Sequence, residues 1–249
     1  MLRNLGVVQA CFHTPRSRSN AARRLGGRSL LEWAIRRVTE AMRLDGVIVL
    51  ACDSEECRAL SRLAPSDVPV FVGDEADTLA RFCRALERYP AEAVVRVCGD
   101  HPFVDPGLID RLVTTADAEP DCDYVSYGSR DGRPAILSPV GVYAEWFRSS
   151  ALREANRLAR DPLDREQVTS YLYSHPEKFD LRLIPAPEAI DRDDVRLTVD
   201  IEEDWDHALM LFEALGPERL EWQRIVGLLD HQPAMRHRMA ALNRAHAHA

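Results

Sequence analysis

Short runs of apolar, mostly β-branched residues alternate along this chain with longer segments whose apolar residues recur at helical spacing. Four such runs in the first hundred residues are predicted as strands: 5–11, 47–50, 68–71 and 94–97. A helix is predicted in segment 30–42, because its apolar residues recur every three or four positions and Ser29 with Glu32 forms a capping-box pattern. Strands alternating with helices predict an α/β fold, in which a largely parallel sheet is covered on both faces.

The second half of the chain continues this pattern less regularly. Asp105-Pro106 and Asp161-Pro162 each supply a capping carboxylate followed by a first-turn proline, so helices are predicted to begin there, the second running to about residue 173. Segments 124–127, 140–143 and 179–184 are predicted to be extended, and helices are predicted again after residue 200. Since no repeat or linker interrupts the pattern, we predict one domain, 1–249, that contains an inserted region at 124–185.

Two of the extended runs end on an aspartate. The run 94–97 is followed by Gly99 and Asp100, and the run 195–199 is followed by Asp200. Ligands of open α/β sheets bind at the carboxyl edge of the strands, so two carboxylates at that edge are placed to hold one cation. Mg²⁺ usually keeps waters and substrate phosphates in its shell, so one or two protein carboxylates suffice. The pair therefore predicts a Mg²⁺ site that serves nucleotide-phosphate chemistry.

Composition excludes several other classes of protein. The formal net charge of −8 disfavours a general nucleic-acid surface, because such proteins usually gather an excess of Lys and Arg. No apolar run approaches the roughly 20 residues that a membrane span requires, and the first residues lack the apolar core of a signal peptide. The six cysteines show neither a CxxC pair nor zinc-ligand spacing, so we expect reduced thiols. These observations predict a cytoplasmic protein that contacts neither membrane nor nucleic acid.

Against this acidic background, five arginines lie within 13 residues after the first predicted strand: Arg16, Arg18, Arg23, Arg24 and Arg28. The segment is too polar to be core, and we predict a loop. Arginine presents planar, permanently charged donors that suit bidentate contact with phosphate, so the loop is expected to hold a triphosphate. Neither the GxGxxG fingerprint nor a Walker A motif occurs, which disfavours a dehydrogenase and a P-loop ATPase.

These residues belong to a pattern that runs in order through most of the chain. Gln9-Ala10, Arg16 and then LGGRSLLE at 25–32 resemble the opening of the cytidylyltransferases of the acylneuraminate and spore-coat-polysaccharide type, where QARxxSTRLPGK precedes LGGKPLLE. The resemblance continues through Val70-Phe71 with Gly73, Asp77 and Arg81, then VRVCGDHPFVDP at 95–106, DREQVTSYLYSHPEKF at 164–179 and RLTVDIEEDW at 196–205.

This resemblance implies a Rossmann-like, three-layer nucleotidyltransferase fold, CTP as donor, Mg²⁺ as cofactor and pyrophosphate as leaving group. It implies that Asp100 and Asp200 are the catalytic metal carboxylates and that Arg16 is the catalytic arginine of the phosphate loop. Further nucleotide contacts are assigned with it to Gln9, Asp77, Arg81 and Gly99.

The chain departs from the family pattern at three positions, two of them near the phosphate loop. Asn20 stands in place of the family lysine, Cys11 in place of the arginine after Gln-Ala, and Gln167 in place of the later histidine. Losing two positive charges would weaken triphosphate binding, so we expect Arg18, Arg23 or Arg24 to compensate. Arg18 and Arg23 are therefore assigned to nucleotide binding as well.

The acceptor is expected to be a small anion, which the resemblance leaves open between a sugar acid, a sugar phosphate and a phosphonate. Its contacts are assigned to Arg130, Arg133, Arg165 and Gln167, so that region 124–185 becomes an acceptor-binding or dimerisation region. A homodimer is expected, and apolar residues of this region are either its interface or core: Val140, Val142, Tyr143, Trp146 and Phe147.

Two alternatives to a cytidylyltransferase stay open. One is a nucleotide-sugar glycosyltransferase, for which Asp121-Cys122-Asp123 is a formal DxD match that precedes a predicted strand instead of following one. The other is a relative that binds nucleotide but has lost turnover together with the family lysine.

Overall fold

The computed structural model of the chain describes residues 1–12, 15–74 and 76–246. Within them, seven strands form one sheet in the order β5-β4-β1-β6-β8-β7-β9, and two short strands, β2 and β3, pair separately. Every neighbouring pair in the large sheet is parallel except those that involve β8, which runs antiparallel to β6 and β7. The strands are β1 (Leu2–Gln9), β2 (Arg24–Leu25), β3 (Arg28–Ser29), β4 (Gly46–Cys52), β5 (Val70–Gly73), β6 (Ala91–Cys98), β7 (Tyr124–Gly128), β8 (Glu145–Arg148) and β9 (Leu181–Pro185).

Helices cover both faces of this sheet and make a three-layer α/β structure, as predicted. One face is packed by α2, α5, α9, α10 and α11, with Leu31, Leu112 and Leu211 in its core. The other is packed by α4, α6 and α8, with Phe82 and Leu152 in its core. The helices are α1 (Pro15–Ala22), α2 (Leu30–Thr39), α3 (Glu55–Ser61), α4 (Thr78–Arg88), α5 (Pro106–Ala118), α6 (Ser149–Leu158), α7 (Pro162–Glu166), α8 (Ser170–Ser174), α9 (Glu202–Leu215), α10 (Trp222–Asp230) and α11 (Pro233–His246). None of these helices is both long and apolar enough to cross a bilayer.

The predicted helix starts are confirmed by their caps. Ser29 accepts the N–H of Glu32 at 3.0 Å, Asp105 accepts that of Leu108 at 3.0 Å, and Asp161 accepts that of Leu163 at 2.8 Å. Each of these side chains satisfies an N–H that has no partner within its helix.

Four local predictions are wrong. The arginine-rich segment carries helix α1 where a loop was predicted, and the helix predicted from residue 162 breaks at 167–169 into α7 and α8. Residues 140–143 lie outside the strands, because Gly141 turns the chain at φ +68° and β8 begins only at Glu145. Residues 195–200 form no strand either; this segment lies across the carboxyl end of the sheet and donates to Pro139 O and Asp100 O.

Region 124–185 is continuous with the rest of the sheet, because it supplies β7, β8 and β9. Its role in acceptor binding or dimerisation stays a prediction. The apolar residues considered for a dimer interface are all buried within this one chain: Val140, Val142, Tyr143, Trp146 and Phe147. These residues are therefore core, which was the second of the two alternatives, and the homodimer stays a prediction.

Gly141 allows segment 195–200 to approach closely. A Cβ at this position would lie 2.7 Å from the amide nitrogen of Thr198 and 2.9 Å from the carbonyl carbon of Leu197. A Gly141→Ala variant is therefore expected to lose about 1–3 kcal/mol of unfolding free energy, since it adds both a clash and an unfavourable φ. Urea unfolding of the variant and the wild type measures the difference in unfolding free energy. The control is Gly227→Ala in α10, where nothing lies within 4 Å and a gain of about 0.5–1 kcal/mol is expected. Equal stability of both variants would contradict the packing described here.

Candidate active site

The two aspartates singled out in the sequence meet at the carboxyl edge of the sheet. Asp100 follows β6, and its carbonyl accepts the N–H of Val199 at 3.2 Å, which brings Asp200 alongside. Burial raises the pKa of Asp100 above its ordinary value, and burial together with the Asp100 carboxylate raises the pKa of Asp200 to about 6. Like charges this close disfavour joint ionisation unless a cation lies between them. The structure thus places two buried carboxyl groups side by side, where a bound cation would stabilise the ionised form of both.

One oxygen of this pair lacks a partner. Asp100 Oδ1 is buried and accepts no hydrogen bond, whereas Asp200 accepts from Thr198 Oγ1 at 3.0 Å and from Arg196 Nη2 at 3.2 Å. His101 Nε2 lies 3.7 Å from Asp100 Oδ1, and burial lowers the pKa of His101 to about 4, so its ring is neutral at pH 7. A buried, unpaired carboxylate oxygen is costly and is well suited to bind a cation.

A buried ion pair that sequence reasoning missed positions Asp200. Arg196 donates to Asp204 through Nε at 2.6 Å and Nη2 at 2.9 Å, and both side chains are almost fully buried. Asp204 Oδ2 also accepts the N–H groups of Asp200 at 3.0 Å and Ile201 at 3.1 Å, which fixes the start of α9. The sequence contains one signal for this pair, because Asp204 is an acidic residue in the first turn of a predicted helix, where such residues commonly cap the helix.

A cleft of about 690 Å³ opens beside the aspartates, between segment 129–140 and the end of the chain. Arg130 and Arg133, whose role in acceptor binding stays a prediction, line it, but Arg130 lies 2.5 Å from Asp193 and Arg133 lies 2.7 Å from Asp131. Helix α11 contributes Asn243, whose side chain donates to the carbonyls of residues 193 and 195 at 2.8 and 3.0 Å. The described lining includes aspartates 100, 131, 191, 193 and 200 and arginines 130, 133, 192 and 196, so its charges nearly balance.

The arginine segment lies next to this edge of the sheet, directly after β1. Arg16 is exposed on α1. Arg18 donates to the carbonyl of Phe12 at 3.2 Å. Arg23 pairs with Glu202 at 2.6 Å and stacks over Trp205 at 4.1 Å, so it ties the end of α1 to α9. Arg23 therefore has a structural role, whether or not it also contacts phosphate.

Gln9 and Gly99 belong to the layer beneath the site. Gln9 Oε1 accepts from Arg96 at 2.8 Å, and Arg96 is paired with the fully buried Glu145. A Cβ on Gly99 would lie 3.0 Å from the carbonyl oxygen of Gln9. Close backbone packing of β1 against β6 is thus sufficient reason for glycine at this position.

The remaining predicted site residues lie elsewhere. Asp77 caps α4 by accepting the N–H of Ala80 and pairs with Arg165 at 2.5 Å. Arg165 also donates to the backbone and side chain of Asn156. Arg81 is fully buried and donates to Thr78 Oγ1 at 2.9 Å. Gln167 is exposed and accepts from Tyr173 at 3.4 Å. Among the described residues, Arg165 and Gln167 do not line the cleft that holds Arg130 and Arg133, so the four do not form one acceptor site.

The raised carboxyl pKa values predict how metal-free stability depends on pH. The pKa of Asp200 rises from 3.8 to about 6 on folding, so protonation favours the folded state. This stabilisation is full below about pH 4 and is lost as the pH rises through about 6. We expect the Tm of the chelator-treated protein to carry a component that declines over this interval, and Asp200→Asn to remove it. Thermal unfolding across pH measures the difference; superimposable profiles for the two proteins would contradict the prediction.

A family model described as Cytidylyltransferase matches residues 7–234. The spore coat polysaccharide biosynthesis protein SpsF of Bacillus subtilis is 26% identical over 237 residues, which cover 92% of this chain and 95% of the relative. A cytidylyltransferase structure from Leptospira borgpetersenii superposes with a TM-score of 0.83 at 21% identity, covering 94% of this chain and 97% of the other. The structure of CMP:2-keto-3-deoxy-manno-octonic acid synthetase complexed with CTP superposes with a TM-score of 0.62 at 12% identity, covering 85% and 99%. These structures confirm the predicted nucleotidyltransferase fold.

Proposed function

Because this chain belongs to the cytidylyltransferase family, it is a nucleotidyltransferase, and we propose that it transfers CMP from CTP to a small anionic acceptor with release of pyrophosphate. The observation that carries the proposal is the meeting of Asp100 and Asp200 at the carboxyl edge of the sheet, with Asp100 Oδ1 buried and unpaired. Ligands of this fold class bind at that edge. The structurally similar synthetase that was solved with CTP bound supports CTP as the donor.

The residues present fit a divalent cation, and we propose Mg²⁺. Asp100 and Asp200 supply oxygen ligands, and two protein carboxylates suffice for Mg²⁺ when phosphates complete its shell. When bound, the ion would neutralise charge on the triphosphate and thereby favour attack at the α-phosphorus. The two aspartates would hold it, and the ion pair between Arg196 and Asp204 would keep Asp200 in place.

We propose that nucleotide and acceptor approach Asp100 from opposite sides. The nucleotide side is that of β1, β4 and β5, where α1 follows β1 and presents Arg16 to solvent near the same edge. The acceptor side is the cleft beyond β6, which Arg130 and Arg133 line. This separation allows an acceptor oxygen to attack the α-phosphorus in line while pyrophosphate leaves on the far side.

The cleft favours a compact anion as acceptor. Arg130 and Arg133 each hold an aspartate on an exposed surface, and such pairs are weak enough for an acceptor carboxylate, phosphate or phosphonate to replace the aspartate. An acceptor of this kind is already ionised at neutral pH, so positioning and charge neutralisation can dominate over help from a general base. Neutral His101 is not required as a base in this scheme.

The glycosyltransferase alternative loses support from the position of its motif. Asp121-Cys122-Asp123 directly precedes β7, which runs in the same direction as β6 because both are antiparallel to β8. The motif therefore lies at the amino edge of the sheet, opposite Asp100, and Asp123 there accepts the N–H of Asp180 at 3.1 Å.

Pyrophosphate release tests the proposal. The full chain is incubated with CTP, Mg²⁺ and a panel of sugar acids, sugar phosphates and small phosphonates, and each reaction is followed by pyrophosphate detection and by mass spectrometry of the CMP conjugate. Formation of a CMP conjugate with one acceptor class supports the proposal and names the class. Tight CTP binding with no turnover on the whole panel would instead favour the nucleotide-binding relative without activity.

A further inference from the structure

Three potential metal ligands of different chemical types lie on the single turn that follows β6. They are the thiol of Cys98, the carboxylate of Asp100 and the imidazole of His101, and one ligand atom of each lies within 4.8 Å of the other two. All three side chains line the cleft described above, so an ion from solvent can reach them. The carboxylate alone would suffice for Mg²⁺, which leaves the sulfur and nitrogen donors without a role in the proposed reaction.

Two atoms of this group are buried without a hydrogen-bond partner. They are Asp100 Oδ1 and His101 Nδ1, and His101 is only 4% exposed. Native proteins rarely leave buried polar atoms unpaired, so Asp100 Oδ1 calls for a partner. The ring nitrogen of His101 nearest to this oxygen is Nε2, at 3.7 Å, and a cation bound between these two atoms would satisfy the carboxylate.

The donor set indicates which class of cation this is. Thiolate and imidazole ligands suit Zn²⁺ and other late first-row ions, whereas Mg²⁺ strongly prefers oxygen. We propose that Cys98, Asp100 and His101 form a binding site for a transition ion such as Zn²⁺ or Co²⁺, which competes there with Mg²⁺. The inference rests on the proposed function, because Asp100 is shared by both sites.

The surroundings of Cys98 are compatible with a bound thiolate. Burial raises the pKa of Cys98 to about 12, and the guanidinium of Arg96, whose Nη1 lies 3.7 Å from Cys98 Sγ, only partly opposes this, so the sulfur ionises when a metal ion takes the place of its proton. The guanidinium charge would oppose a nearby cation, but the fully buried Glu145 is paired with Arg96 and offsets that charge. Asp200 lies near both Cys98 and Asp100 and adds negative charge. Binding the ion would release the thiol proton to solvent.

Cobalt spectroscopy on the 249-residue chain tests the site independently of activity. Co²⁺ added to the chelator-treated protein is expected to produce a thiolate-to-cobalt charge-transfer band in the near ultraviolet, which Zn²⁺ abolishes by displacement. Cys98→Ser is expected to remove the band and to weaken Zn²⁺ binding by at least about 10-fold, and His101→Gln to weaken it by a similar factor. Mn²⁺, used as a probe of the oxygen ligands, is expected to bind wild type and both variants with affinities within about 3-fold of one another.

The matched control is Cys83→Ser, which alters a buried thiol beside α6 and is expected to leave the cobalt spectrum unchanged. Circular dichroism establishes that each variant is folded. A wild-type protein that binds Mn²⁺ but shows no thiolate band, or a Cys98→Ser variant with unchanged Zn²⁺ affinity, overturns this inference and leaves the proposed function intact. Failure to bind any of these ions, together with absent turnover, overturns both.

Discussion

An Asp100→Asn variant is expected to lose about 10²- to 10³-fold or more in kcat for CMP transfer while unfolding at the same temperature as the wild type or above it. The loss in rate follows from removing a carboxylate that faces Asp200 at the proposed metal site. The thermal result follows from burial: the pKa of Asp100 is raised, so its ionised form opposes folding at neutral pH, and a neutral amide of the same shape removes that cost.

The opposite signs of these two effects make the experiment discriminating. Steady-state pyrophosphate release gives kcat, and differential scanning calorimetry in a chelating buffer gives Tm. Asp121→Asn is the control, because this exposed aspartate precedes β7 at the other edge of the sheet and is expected to change neither quantity. An Asp100→Asn enzyme with wild-type turnover would remove Asp100 from the catalytic site.

The second large effect is expected at Asp204. Asp204→Ala removes the main partner of the buried Arg196 guanidinium and leaves it only the 3.2 Å contact of Nη2 with Asp200, and removing one partner of a buried ion pair typically costs about 3–5 kcal/mol. For a chain of this length the loss corresponds to a fall in Tm of roughly 10 °C. Turnover should fall as well, because Asp204 also accepts the N–H of Asp200 and thereby positions that residue. Thermal unfolding and pyrophosphate release measure the two losses.

A double variant separates the charge effect from the positioning effect. Arg196→Met with Asp204→Leu removes both charges and is expected to recover much of the lost stability, since a buried ion pair can be replaced by packed apolar groups. Turnover should stay low because the backbone of Asp200 is no longer held. The exposed neighbour Asp206 serves as control, and Asp206→Ala is expected to change stability by less than about 0.5 kcal/mol. An Asp204→Ala protein as stable as this control would show that the pair contributes little.

Local rules in the sequence were sufficient to predict the parallel strands of the first hundred residues and most of the helices that cover them. Buried strands such as Ala91–Cys98 can be recognised from their mostly apolar composition. Helix starts such as that at Asp105 can be recognised because the capping side chain bonds a backbone N–H only three residues away. The carboxyl-edge rule then placed Asp100 correctly at the site of convergence with Asp200.

What the sequence could not predict depends on contacts between distant parts of the chain. Segment 195–200 has the composition of a strand, but its N–H groups are taken by Pro139 O and Asp100 O, which no local pattern reveals. The local sequence around Arg23 is typical of a phosphate-binding segment, but the Arg23 side chain pairs with Glu202, which lies 179 positions away along the chain. Arg165 similarly pairs with Asp77, although the two had been assigned to different substrates. In each case a charged side chain has a partner that only the tertiary structure identifies.

Helix α11 holds segment 193–195, which leads to Asp200, so part of the proposed metal site is supported by a helix that comes later in the chain. Strands β1 and β6 precede segment 193–200 in the chain, whereas Asn243 of α11, which donates to the carbonyls of residues 193 and 195, follows it. Removal of α11 would therefore take away the two hydrogen bonds that hold residues 193 and 195, while Asp204 and Asp100 would still bond the backbone of residues 199–201.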